Sequence, residues 1–132
     1  MTPRYRKHLA FWRKCGIDIF VIPGPGFVTG MAFCSLADKT TGAKFRRYVN
    51  MHGSTYSTIW LFVLFHEVAH HLLRHTNRWT STPLWQTEYE ADQMALDLIK
   101  THWPAAWARC EREAREHMRP ILQERIDADL WY

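Results

Sequence analysis

The segment His66-Glu67-Val68-Ala69-His70 brings together the residue types that metal-assisted hydrolysis needs. On a helix, residues four apart share a face, so the imidazoles of His66 and His70 can both turn to one metal ion. Neutral imidazole nitrogens are good zinc ligands. Glu67 stands beside the first of them, where its carboxylate can take a proton from a water that the metal activates. The motif sits inside an apolar run, Ile59 to Leu73, with Phe62, Val63, Ala69 and Leu73 at helical spacing. Burying His, Glu and His side by side is costly unless something pairs with them. A bound metal therefore explains the motif better than a surface helix with fortuitous histidines.

A catalytic zinc site usually has three protein ligands and one open position. The segment Thr87-Glu88-Tyr89-Glu90-Ala91-Asp92 offers candidates for the third. Glu88 follows His70 by 18 residues, which leaves room for the end of one helix, a loop through Thr76 to Trp85 and the start of another. Glu88 and Asp92 share a helix face, and Glu90 points away from it. Thr87-x-x-Glu90 also fits a capping box, which gives Glu90 a structural task at the helix N-terminus. Glu88 is therefore the expected third ligand. Asp92 is the expected acceptor for the free N–H of a ligating histidine.

The pattern H-E-x-x-H-H-L-L-x-H followed by E-x-E-A-D resembles the ImmA/IrrE metallopeptidases, within the gluzincin group. The resemblance is strongest over residues 59–100, weaker over 16–58 and absent from the C-terminal part. It does not extend to the helix-turn-helix domain that some members carry. It implies a zincin-like fold in which a small sheet precedes the active-site helix. It also implies that Glu88 ligates zinc and that Asp92 supports a ligand histidine. The implied substrate is one or a few intracellular proteins, DNA-binding transcriptional repressors among them.

A chain of 132 residues is long enough for one hydrophobic core, and a single domain over 1–132 is expected. Its 7 Trp, 7 Phe and 5 Tyr point to a packed globule rather than disorder. The cysteines at 15, 34 and 110 are an odd, widely spaced set. They fit a reduced cytoplasmic protein, in which they pack as small hydrophobes, better than a disulfide scaffold. No apolar run and cleavage site of a signal peptide follow the basic N-terminus. The run Ile59 to Phe65 is too short to cross a membrane. Residues 1–66 carry nine Lys/Arg against two acids, and residues 67–132 carry eight against eleven. The basic cluster Arg4, Arg6, Lys7, Arg13 and Lys14 has no nucleic-acid-binding motif beside it. It reads as a solvated helix face, and direct nucleic-acid binding is not expected.

These residues need elements to position them. Residues 4–14 read as an amphipathic helix with Tyr5, Leu9 and Trp12 on its buried face, ended by Gly16. Strands are expected over Ile17–Ile22, Phe27–Leu36 and Lys44–Met51, separated by the Pro23–Gly26 turn and a polar turn at Asp38–Gly42. The active-site helix is expected over Thr55–His75. Its successor starts near Thr82-Pro83 or Thr87 and ends near His102. Pro104 begins another helix to about Met118, and Pro120 starts or kinks a last one. The charged side chains of 109–127 pair at helical spacing and form a solvated face. Trp79 and Trp85 line a substrate cleft or close the core under a loop. His71 and His75 are four apart and could form a second metal site, but His71 lies about 100° around the helix from His70, and the resemblance implies a His-rich tail that does not ligate, so both are expected not to ligate. Tyr56, Tyr89, His52 and His102 are candidates for stabilising an oxyanion.

The sequence thus points to a small α+β zinc metallopeptidase with a mostly antiparallel sheet. One Zn²⁺ per chain is expected on His66, His70 and Glu88, with Glu67 as general base and Asp92 behind a ligand. The alternative is a zinc-stabilised module that regulates a partner protein without cleaving it.

Overall fold

The computed structural model describes residues 3–35, 37–75 and 84–130. The order is α1 (Pro3–Lys14), β1 (Ile17–Pro23), β2 (Thr29–Ser35), β3 (Arg46–Gly53), α2 (Trp60–Leu72), α3 (Leu84–His102) and α4 (Pro104–Leu130). The α+β class is the one expected from the sequence.

The strand order is β1-β3-β2. β2 and β3 form an antiparallel pair from Thr29↔His52 to Ser35↔Arg46. Their connection is tightened at Asp38, which bridges Ala43 and whose Oδ1 accepts the Thr40 N–H at 2.8 Å. β1 pairs with the other edge of β3 in parallel, from Ile17↔Arg47 to Pro23↔Gly53. The sheet is mixed, not mostly antiparallel, because residues 24–28 carry the chain over the end of β3 instead of closing a β1–β2 hairpin. That crossing spans two inter-strand spacings, about 10 Å, within easy reach of five residues. Gly53 makes it possible. Its φ is +107°, and a β-carbon there would run into the carbonyl of Phe27.

α2 is the central helix, and this explains its apolar character on every side. Trp60, Phe62, Leu64, Phe65 and Val68 are fully buried. α2 packs on β2, β3, α3 and α4. From α1, Tyr5 stacks on Trp60 at 4.7 Å and Trp12 meets Phe65 edge-on at 5.6 Å. Each such large side chain contributes about 1.5–3 kcal/mol by burial. Tyr5, Leu9 and Trp12 form the buried stripe that their spacing predicts. His8 joins it between Phe65 and Trp103, where burial lowers its pKa to about 4 and keeps it neutral.

Several boundaries differ from the sequence expectation. α2 starts at Trp60 and not at Thr55. Ser54 Oγ accepts the Tyr56 N–H and Ser57 O accepts the Trp60 N–H, which holds the chain in turns up to Ile59. α3 starts at Leu84, so Thr87 and Glu90 lie inside it, and the capping box has no helix terminus to serve. α4 runs as one helix past residue 120. Trp79 and Thr82-Pro83 lie outside the described residues. Cys34 is half-buried and Cys110 buried, but Cys15 is exposed beside the turn at Gly16 and packs in no core. No helix of the described residues is long and apolar enough to cross a membrane.

Candidate metal centre and active site

α2 and α3 bring the predicted ligands together. The Nε2 atoms of His66 and His70 lie 3.1 Å apart. Glu88 Oε2 is 2.7 Å from the first and 3.4 Å from the second. Ligand atoms on a tetrahedral zinc ion stand about 3.3 Å from one another, given Zn–N and Zn–O lengths of about 2.0–2.1 Å. The three atoms therefore fit one small cation with little adjustment. Among the described residues, His66, Glu67 and His70 also each turn a potential ligand atom to within 4.8 Å of one another. Glu67 Oε1 is the outlier, 4.0 Å from His66 Nε2. The tight triangle is His66, His70 and Glu88, with Glu67 at its edge.

The electrostatics point the same way. Asp92 Oδ1 lies 2.6 Å from Nδ1 of His66, so carboxylates meet both nitrogens of that ring. Burial alone would lower the His66 pKa, but the bonds to Asp92 and Glu88 outweigh it and raise it to about 9. For Glu88, burial works upward, and the bonds from His66 and His70 pull it well below the usual carboxylate range. A ring clasped in this way favours positive charge, which a proton on the ring or a metal cation at Nε2 can supply.

Glu67 is buried, and the backbone N–H of Ala32 on β2 donates to its carboxylate. Burial raises its pKa, while His66 and His70 partly offset the shift. A buried carboxylate with a raised pKa takes up a proton more readily, which suits proton transfer. Gly30 on β2 supplies its space, since a β-carbon there would come within 2.7 Å of Glu67 Cγ.

Two hollows meet at Glu67 and Gly30. One, of about 240 Å³, is lined by His66, Asp92 and Phe62 as well. The other, of about 300 Å³, is lined by His70, Glu88 and Ala32. None of Tyr56, Tyr89, His52 and His102 lines either one. His117 on α4 does line the first, with its ring edge-on to Phe62 at 6.4 Å. No local spacing marks His117 in the sequence, because only the packing of α4 brings it there.

Glu90, His75 and His71 take roles the spacing did not suggest. Glu90 accepts from His75 Nε2 at 2.9 Å and from Gln86 at 3.0 Å, and these bonds lower its pKa. His75 in turn places Nδ1 3.1 Å from Nδ1 of His70. His71 is turned elsewhere, with Nε2 2.6 Å from the carbonyl of Tyr48, and ties α2 to β3.

Two imidazoles and a carboxylate that converge beside a buried second carboxylate could hold a metal ion, and such a set is suited to hydrolysis. Comparison with known families agrees on hydrolysis. The chain matches the family model of peptidase U49 over residues 38–123, and it belongs to that peptidase family. No curated protein and no solved structure matches it. The matched span includes all of β3, α2 and α3, and so each of His66, Glu67, His70, Glu88 and Asp92.

Proposed function

We propose that this peptidase depends on one zinc ion held by His66, His70 and Glu88. The convergence of their three ligand atoms within 3.4 Å carries the reading. When bound, zinc supplies Lewis acidity that makes water a nucleophile near neutral pH and polarises a peptide carbonyl. Glu67 takes a proton from the attacking water and passes it to the leaving amine. Ala32 N–H holds the Glu67 carboxylate in place, and Asp92 fixes the tautomer of His66 by accepting from Nδ1. We assign oxyanion stabilisation to His117, which shares a hollow with His66 and Glu67.

The two hollows on either side of Glu67 suit a chain that continues past the cleaved bond in both directions, which favours an endopeptidase. β2, an edge strand, borders both. The resemblance to ImmA/IrrE metallopeptidases supplies the substrate class: one or a few intracellular proteins, with a transcriptional repressor as first choice and the cytoplasm as the place of action. The competing reading is a zinc-stabilised regulatory module. Glu67 argues against it, since a structural site has no use for a buried base.

Glu67→Gln tests enzyme against module. It keeps the size of the side chain and removes the base, a role worth about 10²–10⁴-fold in rate. The variant is expected to retain zinc and lose proteolysis of the cellular target. Full biological effect from Glu67→Gln would replace the enzyme with the module.

A further inference from the structure

α2 ends in a way that bears on His70. Arg74 adopts φ +60°. Its N–H bonds the carbonyl of His71 at 3.1 Å, and the His75 N–H bonds the carbonyl of His70 at 2.8 Å. These are the two bonds of a Schellman cap. On a continued helix, position 75 would lie about 140° around from position 70. The cap instead turns the chain back and lays the ring of His75 against that of His70, with centroids 5.3 Å apart.

Once His70 binds a metal through Nε2, hydrogen placement along this contact has one consistent solution with His75 neutral. With the Nε2 lone pair of His70 directed at a metal, its Nδ1 carries the proton and donates to Nδ1 of His75, 3.1 Å away. His75 Nδ1 is then an acceptor, so the proton of His75 sits on Nε2. That N–H donates to Glu90 Oε2 at 2.9 Å. The other Glu90 oxygen accepts from Gln86 Nε2 at 3.0 Å. Every link has a donor and an acceptor, and the chain ends on a fixed carboxylate.

We propose that His75 and Glu90 are positioning residues of the metal centre, a relay that holds His70 in its metal-binding tautomer as Asp92 holds His66. The proposal rests on the reading of His70 as a zinc ligand. Its two arms differ in strength. Asp92 meets His66 directly with a charged acceptor, whereas Glu90 acts on His70 through a neutral ring, a weaker acceptor than a carboxylate. The relay also gives the cap at Arg74 a purpose, because only the reversed chain sets the two rings side by side.

The test is Zn²⁺ affinity by competition with a chromophoric chelator, together with the absorption spectrum of the Co²⁺-substituted protein. His75→Phe keeps a ring and removes both nitrogens. It is expected to weaken Zn²⁺ binding about 10–100-fold and to shift the Co²⁺ spectrum. His75→Gln offers one amide that can accept from His70 and donate to Glu90. It is expected to restore affinity to within about threefold of the wild type. Glu90→Leu should weaken binding less than His75→Phe. Unchanged melting of metal-free His75→Phe would show that the cap survives. Wild-type affinity in His75→Phe, or equal weakness in His75→Gln and His75→Phe, would overturn the relay. The control His66→Ala separates the two levels. If it loses zinc while His75→Phe does not, the relay alone falls. If the wild type binds no better than His66→Ala, the zinc reading falls and takes the relay with it.

Discussion

Gly30 and Glu67 share one small space: a β-carbon at position 30 would stand 2.7 Å from Cγ of Glu67 and 3.1 Å from Sδ of Met51. Met51 is fully buried, so the pressure falls on Glu67. Gly30→Ala is expected to push the carboxylate off its bond to Ala32 while leaving the three ligands in place. A displacement of about 1 Å in a reacting group can cost about 100-fold in rate. Proteolysis should fall by that order with zinc content unchanged, as metal analysis of the same sample would show. Normal activity in Gly30→Ala would separate Glu67 from the chemistry.

The parts of the site that follow one helix were legible in the sequence. His66, Glu67 and His70 lie within two turns of α2, and Glu88 and Asp92 one turn apart on α3, so spacing alone sets their faces. The α1 stripe Tyr5, Leu9 and Trp12 was legible for the same reason. What depends on chain reversal or on distant packing was not. Glu90 does point away from the ligands, as helical spacing requires, but a cap at Arg74 brings His75 back to meet it. His117 reaches the hollow only through the packing of α4. The parallel pairing of β1 with β3 depends on five residues crossing a strand end, and a Pro-Gly turn gives no sign of which strand it will reach.

Glu88 and Asp92, one turn apart on α3, should separate by effect. Glu88→Ala removes a ligand, and zinc binding should be lost almost entirely. Asp92→Asn removes the charge behind His66 and leaves a group that can still accept from Nδ1. Its affinity loss is expected at about 10–100-fold. Chelator competition on the two variants checks this, and a larger loss in Asp92→Asn than in Glu88→Ala would reverse the assigned roles.

Protonation gives a prediction for the metal-free protein. His66 titrates at about 9 when folded, above its ordinary value of 6.5. Its contribution to stability is complete below pH 6.5 and is lost as the pH rises from there through about 9. Zinc should remove that alkaline decline, since a ligating Nε2 carries no proton. Melting temperature across this range should therefore fall for the chelator-treated protein and stay level for the zinc-loaded one. A level profile without metal would show that His66 is not clasped by Asp92 and Glu88.

The zinc content of purified protein, wild type against the His66→Ala/His70→Ala double variant, decides whether these residues hold a metal. About one zinc per wild-type chain and close to none in the double variant are expected. Equal zinc in both, or none in the wild type after growth with zinc, would contradict a metal centre on these residues.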